Sequence, residues 1–147
     1  KFPFQLAYNV IPQVDVFTGN GYTKEEMKMF HETRKIMHSD IAVSATCVRV
    51  PVLRCHAEAV YVEFQDEVSV EAARAALAAT DGITVMDDCA TNTYPMPGLL
   101  AGTDDTYVGR LRKDDTVEHG LALWVVADQI RKGAALNAVQ IAQLLLP

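Results

Sequence analysis

The chain has 147 residues, half of them hydrophobic and 22% charged, with a formal net charge of -6. That is the profile of an ordinary globular chain one domain long, large enough for a single substantial core. The acidity argues against nucleic-acid binding, which needs a clustered excess of Lys and Arg, and no apolar run approaches the roughly 18–20 residues that cross a bilayer.

In chain order, Asn9-Val10-Ile11-Pro12-Gln13-Val14-Asp15 is an apolar stretch that Pro12 keeps extended. A turn at Gly19-Asn20-Gly21 follows. Thr23 with Glu26 has the spacing of a capping box, which predicts a helix over 24–38 with Met27, Phe30, Arg34 and Met37 along one face. Strands are predicted at 42–50 and 56–65, with Pro51 breaking any regular pairing between them. Ser69 is placed to cap a helix over 70–79, Asp81-Gly82 ends it, and 83–86 reads as a short strand, so that a βαβ crossover is expected.

The segment 87–105, with Pro95, Pro97 and Gly98, reads as a long loop, a length that is usually functional or sits at an interface. Strands return at 106–112 and 120–127, and Asp128 can cap a last helix over 129–146. In that helix Gly133, Ala134 and Ala135 permit close approach of a neighbour. The sum is an α+β layered domain with four or five strands and about three helices. No internal repeat or interdomain linker interrupts it.

Two places could carry chemistry. Arg49 and His56 flank a proline-broken bend, so a planar fork suited to a carboxylate or phosphate stands near a group that titrates close to neutrality. The bland alternative is a structural salt bridge and a histidine that only begins a strand. Glu25 and Lys28, three apart near a helix N-terminus, could hold an ammonium and a phosphate, or form an ordinary solvated ion pair.

The three cysteines, Cys47, Cys55 and Cys89, are odd in number and lack C-x-x-C spacing, which points to a reducing cytoplasm rather than to a disulfide framework or zinc site. Cys55 adjoins His56, but neighbours along a strand point to opposite faces. His31, His38 and His119 are scattered and suggest no metal. There is neither a G-x-G-x-x-G turn nor a G-x-x-x-x-G-K-[ST] loop.

Taken with Gly21-Tyr22-Thr23-Lys24-Glu25-Glu26-Met27-Lys28, Glu32-Thr33-Arg34-Lys35-Ile36, Ser44-Ala45-Thr46-Cys47-Val48-Arg49-Val50-Pro51-Val52, His56 and Gly120-Leu121-Ala122-Leu123-Trp124-Val125-Val126-Ala127-Asp128, the chain resembles the C-terminal half of bacterial aspartate-semialdehyde dehydrogenases nearly end to end. The resemblance implies a mixed, largely antiparallel sheet with helices on one face, like the C-terminal domain of glyceraldehyde-3-phosphate dehydrogenase. It further implies a single dimerisation and catalytic domain over 1–147.

The implied parent enzyme reduces L-aspartyl-4-phosphate with NADPH to L-aspartate 4-semialdehyde, on the route to lysine (through diaminopimelate), threonine, methionine and isoleucine. By the same resemblance His56 is the general acid/base, Arg49 grips the substrate carboxylate, Glu25 lies near the amino group and Lys28 serves the phosphate. A cytoplasmic homodimer without metal is implied. The family's Asn-Cys nucleophile and N-terminal NADP-binding domain have no counterpart here. With its opening at Lys1-Phe2-Pro3, the chain is expected to be a fragment, inactive alone, whose last helix has lost a partner. The competing expectations are a catalytically silent dimerisation module and another acyl-phosphate reductase, such as an N-acetyl-glutamyl-phosphate reductase.

Overall fold

A computed structural model describes residues 2–146, which form two compact units that meet in sequence at Pro51 and Val52. The first is organised around helix α1 (Lys24–Met37). Its start is the predicted capping box: Thr23 Oγ1 accepts from Glu26 N, and the Glu26 carboxylate accepts from Thr23 N. His38 ends it in the left-handed conformation, with φ 48°.

The predicted strand over 42–50 is not a member of any sheet. Arg49 exchanges backbone hydrogen bonds with Ile11 at 2.9 and 3.0 Å, an isolated bridge. Two residues earlier, Cys47 N donates to the Glu26 side chain instead of to a neighbouring strand. The β-prone sequence yields only this bridge, and no ladder continues on either side of it.

The second unit is a four-stranded sheet with spatial order β1-β4-β3-β2, made of β1 (His56–Glu63), β2 (Ile83–Val85), β3 (Thr106–Asp114) and β4 (Gly120–Ala127). β4 is antiparallel to both β1 and β3, and β2 is parallel to β3. The expected α+β class with a mixed, largely antiparallel sheet is what is observed. Helix α2 (Val70–Ala78), capped by Ser69 Oγ accepting from Ala72 N, carries the chain from β1 to β2. The crossover is therefore split, because β4 and β3 lie between its two strands.

The core of this unit gathers Cys55, Leu100 and Val126, with Ala57, Met86, Tyr107 and Trp124 packed against it. Leu100 comes from the long loop, where a short helix α3 (Pro97–Leu100) forms. A bulge in β3 between Gly109 and Arg112 is held by Asp87, whose carboxylate accepts from Arg110 N at 2.7 Å and Leu111 N at 3.2 Å. Arg74 pairs with the same carboxylate at 2.7 Å.

The last helical stretch is not the uniform helix predicted over 129–146. A π-helical turn, Arg131–Ala135, precedes α4 (Leu136–Gln143), and Ala135 N donates to Ile130 O, five residues back. Apolar side chains are exposed along it, at Ile130, Val139, Ile141, Leu144, Leu145 and Leu146. No helix among the described residues is long and apolar enough to cross a membrane.

Candidate active site

In the first unit Glu25 and Lys28 occupy the first turns of α1 and face each other, with Nζ 3.4 Å from Oε1. Both are partly open to solvent, so the pair contributes little to stability. What it offers instead is one charge of each sign at the positive end of a helix dipole. Arg49 is half-buried, and its guanidinium stacks over the Phe2 ring at 4.8 Å, which limits the rotamers it can adopt.

Glu26 connects these elements. It is 8% exposed, and its two carboxylate oxygens serve different segments: Oε2 accepts from Thr23 N at 2.7 Å and Oε1 from Cys47 N at 2.9 Å. Those bonds, from Thr23 first and then Cys47, hold the carboxyl below its ordinary range against the opposing effect of burial. The capping box at Glu26 is visible in the sequence. Its second bond, to a residue 21 positions away, carries no local signal.

In the second unit His56 is the exposed first residue of β1, opposite Ala127 of β4. Cys55 before it has φ 78°, a left-handed conformation unfavourable for a side chain with Cβ, and is buried in the core. Burial, and then the Asp128 carboxylate, push its thiol above the ordinary value, so Cys55 stays protonated and packs as a small hydrophobe. Cys55 is thus buried and His56 beside it exposed, and because Cys55 is left-handed and precedes β1, strand alternation is not what separates them.

Arg54 and Asp128 brace this turn. Asp128 is fully buried; its Oδ2 lies 2.7 Å from Arg54 Nε and accepts from Gly102 N at 2.7 Å, while Oδ1 accepts from Ile130 N at 3.0 Å. From sequence Asp128 reads as a helix cap, and Arg54 carries no local signal. Only the His56–Ala127 register makes the two neighbours. The four residues singled out from sequence therefore fall into a group of three in the first unit, Glu25, Lys28 and Arg49, and one in the second, His56. Among the described residues no cluster of His, Cys, Asp and Glu could hold a metal ion.

Fold and site together define an α+β domain that presents a histidine at a strand start and, in its other unit, a helix-borne charge pair and a stacked arginine. The chain belongs to the semialdehyde dehydrogenase dimerisation-domain family, whose model matches residues 1–132. It is 56% identical to the aspartate-semialdehyde dehydrogenase of Aquifex aeolicus over 147 residues, which is 99% of this chain and 43% of that protein. The crystal structure of aspartate semialdehyde dehydrogenase II from Vibrio cholerae, complexed with ASA, superposes with a TM-score of 0.93 at 51% identity, over 98% of this chain and 43% of that one. The Candida albicans enzyme crystallised with NADP superposes at 0.77 with 25% identity, over 95% of this chain and 45% of the other. The chain thus spans less than half the length of the relatives it matches.

Proposed function

We propose that this chain is the substrate-binding and dimerising portion of an aspartate-semialdehyde dehydrogenase, and that the whole protein reduces L-aspartyl-4-phosphate with NADPH to L-aspartate 4-semialdehyde and phosphate. The observation that carries the reading is the likeness, over 98% of the chain, to the V. cholerae enzyme that binds ASA. The reading places the protein in the cytoplasm as a homodimer, in the pathway to lysine (through diaminopimelate), threonine, methionine and isoleucine.

In this reading Arg49 presents its two-pronged donor to the substrate carboxylate, which a point charge would orient less well. Glu25 faces the ammonium and Lys28 the phosphate. Their 3.4 Å contact sets the two opposite charges side by side on the helix start. His56 moves the proton: it is exposed at the start of β1, and an imidazole can both give and take a proton there.

The loop after β1 does not fit the role of a dinucleotide cradle. The connection from β1 to α2, Phe64-Gln65-Asp66-Glu67-Val68-Ser69, is acidic and has no glycine, so no backbone loop can wrap a pyrophosphate there. NADP and the nucleophilic cysteine of an Asn-Cys pair are assigned to a separate N-terminal nucleotide-binding domain, with 1–147 forming the dimerisation and catalytic domain.

The test is an assay of the full-length protein for phosphate-dependent oxidation of L-aspartate 4-semialdehyde with NADP, followed by NADPH absorbance. Activity with this aldehyde, and little with N-acetyl-glutamate semialdehyde, is the expected result. A full-length protein that dimerises but turns over neither aldehyde would overturn the reading in favour of a silent dimerisation module.

A further inference from the structure

We propose that Glu26 is a positioning residue for substrate binding, tethering the segment that carries Arg49 to the helix start that carries Glu25 and Lys28. The inference rests on the reading of those three residues as the substrate clamp. Three observations within the first unit support it.

The carboxylate is divided between two tasks, and helix capping needs only one of them. Oε2 completes the capping box with Thr23 N, whereas Oε1 accepts from Cys47 N across 21 residues of sequence. The Arg49 backbone is then held by its paired hydrogen bonds with Ile11. The segment 47–49 is thus pinned at alternate residues, once to α1 and once to the extended stretch at Ile11. The helix start has its own anchor, since Lys24 N donates to Val16 O at 2.9 Å. Glu26 adjoins Glu25 and lies two residues before Lys28, so the helix turn it ties to the 47–49 segment is the one that carries both ends of the charge pair.

A carboxylate suits this position and an amide does not. Both oxygens accept from backbone N–H groups, and neither N–H can give way because each belongs to a fixed segment. Glutamine has one acceptor oxygen and an NH2 group that would confront the second N–H. Glu26→Gln therefore keeps the size and removes one of the two bonds.

Steady-state kinetics of the full-length protein test the proposal. Glu26→Gln is expected to raise KM for L-aspartate 4-semialdehyde about tenfold and leave kcat within about twofold, since it loosens orientation without touching the reacting atoms. Thr23→Ala, which weakens the cap but keeps the bond to Cys47, is expected to lower the melting temperature and leave KM within about twofold. If both variants lose stability and neither changes KM, Glu26 is only a cap and the tether is wrong. If Arg49→Lys raises KM while Glu26→Gln does not, the clamp stands and the tether falls. If Arg49→Lys and Glu25→Gln both leave KM unchanged, the clamp reading itself fails and takes the proposal with it.

Should Glu26→Gln not fold, hydrogen exchange at the Cys47 amide decides. Protection in both the unmodified protein and Thr23→Ala supports the tether, and exchange as fast as an open loop amide overturns it.

Discussion

Arg54 Nε lies 2.7 Å from Asp128 Oδ2, an ion pair that joins the residue two before His56 to the residue just after β4. It closes the turn from which β1 starts and fixes where the first side chain of that strand projects. Asp128 also receives N–H groups from Gly102 and Ile130, so one buried carboxylate organises three chain segments.

This arrangement makes a prediction about acid stability. Burial acts to raise the Asp128 carboxyl, and the bonds from Gly102 N, Arg54 and Ile130 N outweigh it, so the folded-state value lies below the ordinary one. A group depressed on folding contributes stability that is fully present above its unfolded pKa, about 3.9. That contribution is lost as pH falls from there through the folded value. Asp128→Asn is expected to melt at lower temperature than the unmodified protein at neutral pH, with the gap narrowing below about pH 4. A gap independent of pH in melting curves would contradict the assigned role.

His56→Ala is expected to cut turnover of the full-length protein by about a hundredfold or more, the usual range for loss of a general acid/base. Its side chain is exposed, so the melting temperature is expected to stay nearly unchanged. Steady-state assays paired with thermal melts separate these effects. Unchanged turnover would remove His56 from the mechanism.

For Arg49→Lys the expected change is in binding: KM for the semialdehyde rises about tenfold or more because the two-pronged donor is lost. The backbone bridge to Ile11 does not involve the side chain, so stability is expected to move little. A KM equal to that of the unmodified protein would count against the carboxylate contact.

Gly109→Ala probes the bulge in β3. A Cβ there would stand 2.1 Å from the Met86 carbonyl oxygen and 2.7 Å from Pro95 Cδ. The Met86 backbone is itself bonded to Val108 O, so the sheet cannot yield cheaply. A loss of about 1–3 kcal/mol or more is expected in urea denaturation. Trp124, whose Nε1 donates to Pro95 O at 3.0 Å, should report the disturbance through its fluorescence. A midpoint matching that of the unmodified protein would show that the loop moves aside freely.

What the sequence determined on its own was local. Caps at Thr23 and Ser69, the strand over 120–127 and the turn at Asp81-Gly82 depend on groups a few residues apart, and these were legible. The candidate site residues were legible as residue types. Their assignment to a substrate came from resemblance, because a charge pair or a lone histidine looks the same on an idle surface.

The tertiary structure decided where hydrogen bonds go when more than one partner is available. The stretch over 42–50 has strand-forming side chains, yet Cys47 N bonds to the Glu26 carboxylate and Arg49 forms an isolated bridge with Ile11, so no sheet strand forms there. The uniform last helix gave way to a π-helical turn around Gly133, where small residues leave the choice of hydrogen-bond register weakly determined. The same holds for Glu26 with Cys47 and for Arg54 with Asp128. Each joins groups far apart in sequence, and their pairing depends on a register that no local pattern encodes.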